Sequence, residues 1–102
     1  MSWIRKEKRH AIYRRDKYTC AYCGRKYSPD RLTLDHITPR QQGGTNKPSN
    51  LVTACDTCNS QKNNRTLMQY VRWLRVNAHY RNVTWVQRRV RRYRNRKLVW
   101  EI

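Results

Sequence analysis

The chain has 102 residues, a formal net charge of +18 and a hydrophobic fraction of only 37%, with no Phe. One domain with at most an appendage fits this length, and so thin an apolar complement needs a staple such as disulfides, a metal or a partner subunit. The 11% aromatic content excludes plain disorder, no apolar run is long enough to span a membrane, and 24 Lys+Arg against 6 Asp+Glu call for a polyanionic partner. Arginine outnumbers lysine more than two to one, and its planar fork suits phosphate. Nucleic acid, ribosomal RNA included, therefore ranks ahead of an anionic membrane surface.

In chain order, Ser2 to Asp16 read as a short basic helix with Trp3, Ile4, Ala11 and Ile12 as its apolar positions. No apolar run follows this basic start, so no secretory signal is expected and the compartment is a reducing cytoplasm. Tyr18–Gly24, "YTCAYCG", is a knuckle in which Gly24 allows a left-handed turn. "LTLDHI" alternates apolar and polar residues and predicts a strand, with Leu32 and Leu34 on one side and Asp35 at its end. Thr38–Asn50 holds two Pro and two Gly and reads as a long loop, a length that points to function. "LVTAC" is a second short strand, and Asp56 is the expected N-cap of a helix running through the second cysteine pair. Leu67, Tyr70, Val71, Leu74 and Ala78, then Val83, Val86, Val90 and Tyr93, predict two more helices broken near "NAHYRN".

Cys20-x-x-Cys23 and Cys55-x-x-Cys58 use every cysteine in two matched pairs. Each pair can grip one tetrahedral ion from a tight turn, and four thiolates at about 2.3 Å close a zinc shell. A closed four-sulfur shell leaves no open position for catalysis, so this Zn2+ is expected to be structural. It would clamp the two knuckles together and hold the Asp35-His36 loop close to "CNSQK".

Hydrolysis of a phosphodiester needs a base for water, and an imidazole near its ordinary pKa of about 6.5 serves at neutral pH. It also needs a hard cation at the scissile phosphate, which takes oxygen ligands from carboxylates and amides. Asp35, His36 and a nearby Asn meet that requirement, although an Asp-His pair alone is more often a satisfied surface pair.

The pair is not alone. Cys-x-x-Cys, Asp-His-Ile-x-Pro, Gly-Gly, Asn-Leu-Val-x-x-Cys and Cys-Asn-x-x-Lys follow in that order from about Arg14 to Asn64, and together they resemble the HNH endonuclease family, in its zinc-stapled, McrA-like form. The resemblance implies an α+β fold with a ββα-metal core, here flanked by an N-terminal helix and two basic C-terminal helices. It implies that His36 is the general base, that Asp35 and Asn59 ligate the catalytic metal, and that Asn50 orients the base through the loop backbone. Lys62 matches a basic position that would contact phosphate. Asn59 stands where the family often has His; an amide oxygen in place of that nitrogen shifts the expected catalytic ion to Mg2+ or Mn2+. The implied reaction is cleavage of DNA to 5′-phosphate and 3′-hydroxyl ends, nicking by default, in a bacterial or phage-encoded protein.

Residues 1–65 are then the nuclease core and 66–102 a basic helical extension. From Arg65 onward one acid, Glu101, faces a dense run of cations. Arg65, Arg88, Arg89, Arg91, Arg92, Arg94 and Arg96 are expected to track DNA phosphates, a contact that positions without reading sequence. The apolar stripes of the two helices would pack on each other or on a second copy, making a homodimer. Trp73, Trp85 and Trp100 read first as core or partner contacts and second as base-stacking residues; His10 and His79 fit no motif. The alternative to a nuclease is a zinc-stapled nucleic-acid-binding module with an inert site.

Overall fold

Two antiparallel strands and the helix that follows them form the centre of the molecule. The computed structural model describes residues 5–78 and 81–98. Strand β1 (Leu32–His36) pairs with β2 (Leu51–Cys55) in a register running from Leu32↔Cys55 to His36↔Leu51, and α2 (Asp56–Lys62) follows at once. Ahead of them lies α1 (Lys6–Arg15), and behind them α3 (Leu67–Asn77) and α4 (Val83–Arg94). This is a small α+β protein with a ββα centre. Trp3, Ile4, His79 and Trp100 fall outside the described residues.

All five residues of β2 are buried because helices or the knuckle cover the strand on both faces. Leu51 joins Ile12, Tyr13, Leu32 and Leu34 in a cluster beneath α1. Val52 and Ala54 point the other way, into a cluster with Tyr22, Tyr70, Leu74, Val86 and Val90. The apolar stripes of α3 and α4 are thus spent inside the chain, against the hairpin and knuckle as well as each other. Each large apolar side chain so buried contributes roughly 1.5–3 kcal/mol.

The knuckle is anchored to the sheet. Ala21 N–H donates to the Thr53 carbonyl (2.9 Å), and Thr19 pairs with Lys26 across the turn. Gly24 closes that turn at φ +77°, a conformation that favours glycine.

Helix α2 begins one residue earlier than its sequence suggests. Its N-cap is Cys55, whose Sγ accepts from Cys58 N–H, and Asp56 is the first helical residue. The sulfur takes the acceptor role expected of the Asp56 carboxylate because the same turn must point both cysteines inward. Asp56 still sets its charge at the helix N-terminus. Helix α3 opens on a capping box between Thr66 and Gln69, and α4 on Asn82, whose side chain accepts from Trp85 N–H (3.1 Å).

Candidate active site and metal centre

The four cysteines converge. Their sulfur atoms all lie within 4.8 Å of one another, with Cys20, Cys55 and Cys58 buried and Cys23 half-buried. Backbone N–H groups of Tyr22 and Cys23 reach Cys20 Sγ, and that of Cys58 reaches Cys55 Sγ, each at 3.4 Å. Arg81 Nη1 approaches Cys58 Sγ at 3.7 Å, and the Tyr27 hydroxyl meets Cys23 Sγ at 3.5 Å. These donors suit thiolates. Hydrogen bonding between Cys20 and Cys23 pushes the Cys20 thiol far up and pulls the Cys23 thiol far down, so charge cannot spread over the quartet unaided. A dication removes that conflict, and four soft sulfurs at this spacing fit Zn2+.

Asp35 sits on β1 opposite Val52, nearly buried, with the Lys62 Nζ 2.9 Å from its Oδ2. The Tyr22 hydroxyl donates to the same oxygen. Oδ1 accepts no hydrogen bond among the described residues. Burial pushes the Asp35 carboxyl up, against the opposing pull of Lys62, Tyr22 and His36. Burial likewise pushes the Lys62 ammonium down, opposed by Asp35. Tyr22 is held well above the usual phenol value, first by burial and then by the Asp35 charge, so its hydroxyl stays a donor.

Lys62 does not occupy the surface position that phosphate contact requires. Its side chain is 0% exposed, and Nζ also donates to the His36 carbonyl at 2.8 Å. The reason is helical geometry: Lys62 lies one turn beyond Asn59 and Cys58 on α2, on the face that packs against β1. It is a buried counter-ion that ties α2 to the strand.

The loop after β1 is organised by Asn50. Its Oδ1 accepts from Thr38 N–H (2.9 Å), and its amide donates to the Thr38 and Thr45 carbonyls (3.0 and 2.8 Å). Gly44 is required here: a Cβ would fall 1.7 Å from the Thr38 carbonyl oxygen. The residue that touches His36 is a different one, Asn46, whose Oδ1 lies 2.8 Å from His36 Nε2. An amide oxygen can only accept, so Nε2 carries the proton and a neutral ring keeps its lone pair on Nδ1. Asn46 is held in turn by Lys8 of α1, which donates to its carbonyl.

Asp35, His36 and Asn59 all line one open cleft of about 490 Å³, together with Arg40, Ser60, Asn63 and Asn64. Asn50 stands behind it, and Lys62 beneath. Of the arginines read as phosphate contacts, Arg88, Arg91 and Arg92 are exposed, whereas Arg65, Arg89, Arg94 and Arg96 are half-buried. Arg96 is occupied within the fold, donating to the Arg15 carbonyl (3.0 Å) and lying over the Tyr93 ring. Trp73 packs beside the core, stacked with Tyr70, but Trp85 is 63% exposed and is not a core residue. It sits on the side of α4 away from Val86 and Val90, and no neighbouring element covers it.

Three participants had no motif to announce them: Tyr22, Asn46 and the pair Arg15–Asp16. Arg15 and Asp16 are buried and joined at 2.7 Å, and Asp16 Oδ2 accepts from Thr53 N–H of β2 (2.8 Å). The signal available was scarcity. With only six acids in so basic a chain, each Asp is a candidate for a specific duty, Asp16 as much as Asp35.

A ββα hairpin-and-helix with a sulfur quartet at one end and an Asp-His cleft at the other is the ββα-metal class. Residues 20–65, a little under half of the chain, match the HNH endonuclease family. No curated protein matches the chain. Among solved structures, the Type II-C Cas9 enzyme from Actinomyces naeslundii superposes with a TM-score of 0.55 at 21% identity, over 93% of this chain. The chain spans 13% of the length of that enzyme, and the likeness is one of fold. Among the described residues, no helix is long and apolar enough to cross a membrane.

Proposed function

We propose that the protein is a metal-dependent HNH endonuclease that hydrolyses DNA phosphodiester bonds, one strand at a time. The observation that carries this reading is the shared cleft, where the His36 imidazole, bonded through Nε2 to Asn46, lies beside Asp35 and Asn59. Those two residues offer a carboxylate oxygen and an amide oxygen, the hard donors that Mg2+ or Mn2+ takes while keeping several waters. When bound, such an ion supplies charge neutralisation at the phosphate and at the departing 3′ oxygen.

The protein's own groups do the remainder. His36 Nδ1 takes the proton of the attacking water, while Asn46 holds the ring by Nε2. Lys62 and Tyr22 fix the Asp35 carboxylate by Oδ2, and Oδ1 is the oxygen that would serve as a ligand. Asn50 keeps the loop from Thr38 to Thr45 in shape, which keeps Asn46 at the imidazole. Arg40, exposed at the cleft rim, is suited to the incoming phosphate, and the exposed arginines of the 66–102 extension to the backbone beyond it. The products are a 5′-phosphate and a 3′-hydroxyl.

The test is conversion of supercoiled plasmid to nicked circle with Mg2+ or Mn2+. His36→Ala is expected to lower the rate by about 100-fold or more, the range for loss of a general base, at unchanged zinc content. Equal nicking by both proteins would sink the assignment of the base. A second reading, a non-catalytic zinc-stapled binding module, has one observation in its favour: the Asp35 charge is already balanced by Lys62. DNA binding without nicking by either protein would select it.

A further inference from the structure

We propose that the outward face of α4 is a platform for unpaired nucleotides, on which Trp85 stacks against a base while Arg88 and Arg92 hold the adjoining phosphates. The inference takes its ligand class, nucleic acid, from the function proposed above; it takes nothing from the chemistry at His36.

Trp85, Arg88, Arg89 and Arg92 recur at helical spacing and line one shallow cleft of about 320 Å³. The opposite face of the helix, Val86, Val90 and Tyr93, is buried in the core, so the platform is held rigidly outward. Among the described residues, Trp85 is the bulkiest of three exposed large hydrophobics, and no aromatic or aliphatic neighbour lines the cleft with it. None of the ion pairs among the described residues involves an arginine of α4. Arg89 Nη1 is enclosed and has no hydrogen-bond partner among the described residues; it lies against Gly24 of the knuckle, where a Cβ would lie 2.9 Å from it. A row of arginines without carboxylate partners among the described residues is a surface short of anions.

Other occupants fit less well. A second copy of this chain would bring a charge of +18 against the same arginines. A membrane surface needs a helix with a free apolar face, and that face of α4 is already in the core. Duplex DNA satisfies the arginines but hides the faces of its bases, leaving the indole unmatched. An unpaired base has an open π-face, and stacking on an aromatic side chain is tolerant of sequence. Strand ends, gaps or flaps are therefore the favoured DNA forms.

The experiment measures fluorescence anisotropy with labelled oligothymidine and with a duplex of equal length, without added Mg2+ or Mn2+. Trp85→Ala is expected to weaken single-strand binding by about 5- to 100-fold, the range for loss of one base stack, and to leave duplex binding nearly unchanged. Trp85→Phe should retain most of the affinity. Arg88→Gln/Arg92→Gln should weaken both DNAs and flatten the salt dependence. Unchanged single-strand binding in Trp85→Ala, or equal losses on both DNAs, would overturn the proposal. So would a Trp85 effect confined to anionic phosphatidylserine vesicles. Should Trp85→Ala misfold, Trp85→Gln serves the same comparison. A wild type that never nicks DNA but shows this Trp85 dependence would remove the catalytic reading and leave the platform standing.

Discussion

Among the described residues two acid–base pairs are buried, and they are built differently. Arg15–Asp16, at the end of α1, is bonded on every side: Arg15 also reaches the Pro48 and Leu51 carbonyls (2.9 and 2.6 Å), and Asp16 receives Thr53 N–H. It fastens helix, loop and strand into one piece. Lys62–Asp35, under the cleft, uses one carboxylate oxygen for the lysine and Tyr22 and leaves the other without a hydrogen bond among the described residues. The first pair completes its hydrogen bonding within the fold. The second leaves an acceptor where an ion can use it. Charge pairing alone does not tell a structural pair from a working one; the count of satisfied atoms does.

The largest expected effect separates them by stability. Asp16→Ala leaves a buried guanidinium uncompensated and an amide without its acceptor, and should cost about 3–5 kcal/mol in urea denaturation. An unchanged denaturation midpoint would show that this pair is not the fastening described. The next effect has the opposite sign. Asp35→Asn/Lys62→Met removes both buried charges while keeping an acceptor for Tyr22, and should keep or raise stability, by up to about 4 kcal/mol. The same protein should lose divalent-dependent nicking, because the carboxylate removed is the one the ion needs. A double variant that is both less stable and still active would break the comparison.

The smallest effect is in pH. Burial raises the Asp35 pKa in the fold, so its contribution to stability is fully present below the unfolded carboxyl value and is lost as pH rises through the folded one. Burial lowers the Lys62 pKa, so its contribution is present above the unfolded lysine value and is lost as pH falls through the folded one. Wherever both groups are charged, their burial costs the fold. The stability advantage of Asp35→Asn/Lys62→Met over wild type should therefore narrow as pH falls into the ordinary carboxyl range. Denaturation midpoints that keep a constant gap from neutral to acidic pH would contradict the sign for Asp35.

Much of this was legible in the chain itself, for identifiable reasons. Leu32–His36 shows its strand by alternation, and Leu67–Ala78 and Val83–Tyr93 show their helices by period, because apolar residues are confined to one face of each. The cysteine pairs point to a metal because thiols at that spacing have few other uses in a reducing compartment. Arg15–Asp16 and Tyr22 were not legible, since no local pattern marks a residue whose partner is far along the chain: Asp16 meets Thr53, and Tyr22 meets Asp35. Asn46 hides in a loop that holds several Asn, Gln and Gly residues of similar character.

By itself the sequence determined the element types, the sulfur quartet and the residue kinds around the cleft, because these depend on local period and on side-chain chemistry. Tertiary structure alone decided three other matters: that Lys62 turns inward to Asp35, that Asn46 and not Asn50 touches the imidazole, and that Trp85 faces outward among arginines. Each depends on which faces meet once β2 is covered on both sides, and that is a property of the packed core.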